Sequence, residues 1–195
     1  MAAPSSDRPS FNAIYNRLLS FPSPVLPPPK VHDPSLTHQI SSLSLHPVLE
    51  TALHLLNGDL PSAHFLVRHM QAAPAFESMY LHGILHRIEG DYDNARAWYG
   101  NVKDSEVFQA AWSAGEEAAR KFIGRVEALR KKREGDLGEL EKESMREIQS
   151  VVDFCRIKFG EGEVRDASGI WVQPSKEHND MAQAMIIGGE GWRQF

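Results

Sequence analysis

Two pairs of side chains carry the chemistry this chain could perform. Glu50 and His54 are four residues apart, and so are His82 and His86. On a helix that spacing puts both members of a pair on one face. Imidazole titrates near neutral pH, moves protons and ligates metals, so the pattern admits three readings. In the first, the histidines are buried and hydrogen-bonded, and hold helices in register. In the second, the four side chains line a small-molecule pocket with acid–base capacity. In the third, His82 and His86 bind a transition metal such as zinc, with His54 or Glu50 completing the shell. No Glu follows His82 as it would in HExxH, so the metalloprotease helix is not present. Glu89 and Asp91 follow close behind the second pair.

The elements that must position these groups come from a block that occurs twice. HLLNGDLPSAHFLV (54–67) and HRIEGDYDNARAWY (86–99) align at a spacing of 32. They share His54/His86, Gly58/Gly90, Asp59/Asp91 and Ala63/Ala95, with apolar matches at Leu56/Ile88, Leu60/Tyr92, Leu66/Trp98 and Val67/Tyr99. A period in the thirties marks stacked helix–turn–helix units. Each glycine suits a left-handed helix stop, each aspartate an N-cap, and Pro61 a first helical turn. The pattern predicts helices at about 47–57, 61–72, 75–89, 92–101, 104–133 and 138–159. The last two are expected to form a long antiparallel hairpin, with the basic run Arg130–Arg133 at the end of the first.

SMYLHGILHRIEGDYDNARAWYGNV (78–102) resembles a tetratricopeptide repeat. The resemblance rests on Gly83 and Ala95, where the two helices would cross, on Gly90-Asp91-Tyr92 at the turn, and on Tyr99. The unit before it keeps Ala63 but has Thr51 in place of the small glycine. The resemblance implies an all-α fold of antiparallel repeat pairs. It also implies a concave face that binds an extended peptide or protein segment, held here by Glu77, Tyr80, Ile84, Arg87 and Ile88. The double-lysine clamp of chaperone-binding members is missing. Glu50, His54, His82 and His86 stand where that family is usually apolar, so their polarity needs a reason. The block HGILHRIEGDYDNARAWY also resembles a family of small fungal and bacterial proteins, a likeness that implies no activity.

The remainder bounds the function. The chain has 195 residues, with 21 basic and 26 acidic side chains for a net charge of −5. That balance argues against a nucleic-acid partner, which requires a basic face. The single cysteine, Cys155, sits in an apolar stretch and permits no internal disulfide. No apolar run approaches the length of a membrane span and no signal peptide is evident, so no membrane partner is expected and the cytoplasm is the expected location, with the nucleus as its alternative.

Eight of the twelve prolines fall within the first 34 residues. FPSPVLPPPK (21–30) must be extended, and Pro24 and Pro27 make a PxxP spacing within a tether. FNAIYNRLLSF before it reads as an amphipathic helix. The expected organisation is a Pro-rich arm (1–35), a helical domain (36–160; units 47–72 and 75–102, hairpin 104–159) and an irregular tail (161–195). In that tail Trp171, Trp192 and Phe195 are expected to pack back on the domain, and MAQAMII (181–187) to make one or two helical turns. No phosphate loop or nucleophile motif is present. The expected role is a non-enzymatic protein-interaction module without a cofactor. Its rival is a small enzyme or a ligand- or metal-binding protein built on Glu50, His54, His82 and His86.

Overall fold

A computed structural model describes residues 10–172. Among them there are nine helices and no strand: α1 (Phe11–Leu18), α2 (Pro34–Ser42), α3 (Pro47–Leu56), α4 (Leu60–Arg68), α5 (Phe76–Glu89), α6 (Tyr92–Val102), α7 (Glu106–Ala111), α8 (Glu116–Lys132) and α9 (Leu137–Phe159). The fold is all-α, and none of these helices is long and apolar enough to cross a membrane.

The duplicated block folds into two duplicated turns. In the first, Asp59 N–H donates to His54 O, and in the second Asp91 N–H donates to His86 O, both at 2.9 Å. Gly58 and Gly90 take φ of 69° and 92°, a region that costs an L side chain about 1–2 kcal/mol. The two aspartates are N-caps with nearly the same dihedrals, accepting from Ser62 N–H and Asn94 N–H. Each turn folds its second helix back on its first, giving the pairs α3–α4 and α5–α6.

The central element is α5, which packs against α3, α4, α6 and α7, while α9 lies along α3 and α7. Where α5 meets α9, the core is charged. Arg87 and Glu147 are both fully buried, and Arg87 Nη2 donates to Glu147 Oε2 at 2.9 Å. The other carboxylate oxygen accepts from Tyr80 Oη and Tyr99 Oη, each at 2.7 Å, and from Trp112 Nε1 at 2.9 Å. Ser144 Oγ accepts from Arg87 and donates to Pro24 O, so the network reaches the N-terminal arm. Five segments thereby share one set of bonds that satisfies an otherwise costly buried ion pair.

Several expectations need correction. The helix expected over 104–133 is two helices: α7 stops at Ala111, and α8 restarts after Gly115, whose φ of 84° the helix cannot continue through. Segment 34–42, on the border of the expected arm, is helical, because Asp33 caps it and Pro34 starts it. The Pro-rich stretch lies against the body, with Ser23, Pro24 and Val25 buried, so Pro24 is not offered to a proline-binding domain. Gly83 serves a close crossing of α5 and α6: a Cβ there would meet Trp98 and the Tyr99 ring, at 2.8 Å from the latter, and Ala95 on α6 is fully buried. Trp171 packs back as expected, 4.8 Å from the His69 ring. Trp192, Phe195 and 181–187 lie outside the described residues.

Candidate metal centre

The peptide-binding face that the repeat resemblance implies is not a surface here. Glu77, Tyr80, Ile84, Arg87 and Ile88 are all buried. Two covers account for this. α9 brings Glu147 onto Tyr80 and Arg87 and Lys158 onto Glu77, at 2.6 Å, and Trp112 donates to Tyr80 Oη. Here α9 covers that face.

The four polar residues at apolar positions do not meet at one point. His54 is buried in the first turn, with Nε2 3.6 Å from Glu50 Oε1 and Nδ1 3.4 Å from Asp59 Oδ2. That same Asp59 oxygen accepts from Thr37 Oγ1 and Ser62 Oγ, so His54 belongs to a local corner joining α2, α3 and α4. Glu50 and His54 line a shallow depression with Ser41, Pro61, Ser62, Phe65 and Leu66.

His82 and His86 line a different and larger cleft of about 1010 Å³. Their rings stack at 4.6 Å, as the i,i+4 spacing dictates, and His82 also stacks on Trp98 of α6 at 4.7 Å. The third member is His64 of α4, which sequence reasoning did not select. Its ring meets His82 and His86 edge-on, at 5.2 and 5.6 Å. One ligating atom from each of the three residues lies within 4.8 Å of the other two.

The distances suit a tetrahedral ion at one edge and need contraction at the others. His64 Nε2 and His82 Nε2 are 3.3 Å apart. Two nitrogens bound at 2.0–2.1 Å to a tetrahedral zinc stand about 3.4 Å apart. His64 Nδ1, the ring's other nitrogen, faces Glu89 Oε1 at 3.4 Å, and His86 Nδ1 faces Glu89 Oε2 at 3.7 Å. A carboxylate on the far side of a metal-binding imidazole fixes its tautomer and raises its basicity. Glu89 is placed for that role by the end of α5, where Gly90 turns the chain.

Burial favours the neutral form of His82 and His86. Burial, reinforced by the neighbouring His86, His64 and Arg68 charges, pushes His82 down to about 2. Burial lowers His86 as well, against the opposing pull of Glu89 and Asp91. Neutral imidazoles present lone pairs, the form that binds a cation. The Nδ1 atoms of His82 and His86, on the ring side away from Nε2, are buried without hydrogen-bond partners.

HxxxH supplied two of the three histidines because both lie on one helix. His64 was legible only by pairing the second helix of the first unit with the first helix of the next, the contact that α4 and α5 make. Sequence reasoning also passed over Glu147, the hub of the buried network; among many acidic residues of α9 it has no sequence signal beyond its place on the inner face.

Comparison of the chain with protein-family models, with curated proteins and with solved structures finds no match.

Proposed function

We propose that this protein binds a transition metal ion, with zinc the best fit, through His64, His82 and His86, and that Glu89 orients the ligands from behind. The observation that carries this reading is the convergence of three imidazoles from two helices, each with a ligating nitrogen near the others, at the wall of an open cleft. Three histidines leave one position of a tetrahedral ion free. Structural zinc sites are closed by four protein ligands, whereas an open position is the arrangement of sites that bind or activate a small molecule. All-nitrogen donors suit zinc, copper or nickel and disfavour calcium and magnesium, which take oxygen ligands. The reading selects the ligand-binding alternative over the peptide-interaction module, whose five contact residues are covered.

Zinc titration by calorimetry, followed by elemental analysis after desalting, tests it. The wild-type chain is expected to retain close to one equivalent. The His64→Asn, His82→Asn double variant should keep its helical circular dichroism and lose the zinc. Failure of the wild type to take up zinc, copper or nickel, or equal uptake by the double variant, would reduce the cluster to packed histidines.

A further inference from the structure

Beyond the ion, the cleft has a chemistry of its own. It is lined by Pro27, Arg68, Gly90, Asp91 and Arg130 besides His64, His82, His86 and Glu89. Only Pro27 and Gly90 among these lack a polar side chain, so the lining offers polar partners on most sides. The volume is that of a small-molecule site and far exceeds what one ion and a water need.

The charges around this space are two arginines and two carboxylates. With neutral histidines they cancel, and a divalent cation leaves the cleft at about +2. Both carboxylates already face partners. Asp91 accepts from Asn94 N–H and Asn94 Nδ2, capping α6, and Glu89 faces the rings of His64 and His86. Of the two arginines, Arg68 is the freer. Arg68, at the end of α4, makes no ion pair with any described residue, yet its charge acts on both His82 and His86. Arg130 reaches from α8, donates through Nη1 to Glu89 O and lies over Gly90, where a Cβ would stand 1.6 Å from that nitrogen. A glycine at 90 thus lets a guanidinium sit against the turn that also positions Glu89.

Resting on the metal reading above, we infer that the cleft binds a phosphate-bearing small molecule, one oxygen on the metal ion and others on the Arg68 and Arg130 guanidiniums. A guanidinium is a planar fork of donors matched to phosphate oxygens. Three cationic groups from α4, α5 and α8 approach the space from different elements. A tetrahedral oxyanion has oxygens for all three, whereas a carboxylate has two in one plane.

The test uses the full chain, loaded with zinc and freed of excess, titrated with inorganic phosphate and separately with acetate, and read by calorimetry and by tryptophan fluorescence, since Trp98 stacks on His82. Phosphate is expected to bind the zinc-loaded protein, acetate at least tenfold more weakly, and the metal-free protein should bind phosphate at least tenfold more weakly than the loaded one. Arg68→Gln should weaken phosphate at least tenfold while zinc stays at one equivalent. The exposed position of Arg68 makes misfolding no explanation for that loss, and Arg68→Lys, which keeps the charge, should recover part of it. Zinc at one equivalent with no phosphate binding, with acetate binding as well, or with Arg68→Gln binding as the wild type does, would overturn the inference and leave the metal reading intact. No zinc uptake would overturn both.

Discussion

Arg87 and Glu147 show what a single residue can decide in this protein. Both are fully buried, and the pair is tolerable because nearly every polar atom around it is matched: two tyrosine hydroxyls, an indole N–H and a serine surround the carboxylate and guanidinium. Arg87 also stacks over the Phe122 ring at 4.7 Å, where its Nη1 has no hydrogen-bond partner. Removing one charge strands the other in a low-dielectric interior. Glu147→Gln keeps the shape and is expected to cost about 3–5 kcal/mol in urea unfolding, the usual penalty for breaking a buried pair from one side. A change under about 1 kcal/mol would show that the network is not what holds α5 to α9. Legibility at this scale was uneven. Residues with a helical spacing partner, such as His82 with His86, could be read as a pair. Arg87 was assigned to a surface because nothing in the sequence announces a buried cation; its partner lies 60 residues away.

Helices and turns were more legible, because their signals are local. The stops at Gly58 and Gly90 and the caps at Asp59 and Asp91 rest on residues that can do little else there. The break between α7 and α8 was not legible: Phe108, Ala111, Gly115, Ala118 and Phe122 keep a helical rhythm straight through it, while the backbone leaves the helix at Trp112 (φ −129°, ψ 72°) and again at Gly115 with its positive φ. Two predictions belong to this scale. Ala95 is fully buried on α6 facing the core, so Ala95→Leu should overpack it and cost on the order of 1–3 kcal/mol, read as a lowered thermal midpoint. An unchanged melt would refute the close packing of that pair.

The second concerns the start of α3. His46 is the N-cap, and its Nδ1 accepts from Val48 N–H at 3.3 Å, which requires that nitrogen to be unprotonated. The ring is stacked on Phe159 at 3.8 Å, and burial holds it below the ordinary value of 6.5, with Glu77 of α5 opposing and Lys158 of α9 reinforcing the shift. Between its lowered value and 6.5 the unfolded chain holds more protons than the folded one, so stability falls as pH drops below about 6.5. His46→Asn keeps a good cap without a titrating group. Urea midpoints at pH 7 and pH 5 should therefore differ less for His46→Asn than for the wild type; an equal difference would remove His46 from the acid response.

At the scale of the whole molecule, α9 and the N-terminal arm close the body around the two helix pairs α3–α4 and α5–α6. Phe11, Ile14, Tyr15 and Leu18 of α1 join the core, and the Pro-rich stretch is tied to α9 through Pro24 O and Ser144. This closure could not be read from periodicity, since a repeat pattern describes contacts between neighbours in sequence and these contacts span over a hundred residues. It also leaves the three histidines at the α4–α5 seam beside an open cleft. The cleft of about 1010 Å³ lies at that seam, beside the second turn. The measurement that bears most directly on this account is anomalous diffraction at the zinc edge from crystals grown with zinc. A single strong peak is expected in the cleft, about 2.0–2.1 Å from one nitrogen of each of His64, His82 and His86, with its fourth position open toward Arg68. Crystals with the three rings ordered and no zinc peak between them, or with zinc held only by surface residues elsewhere, would contradict it.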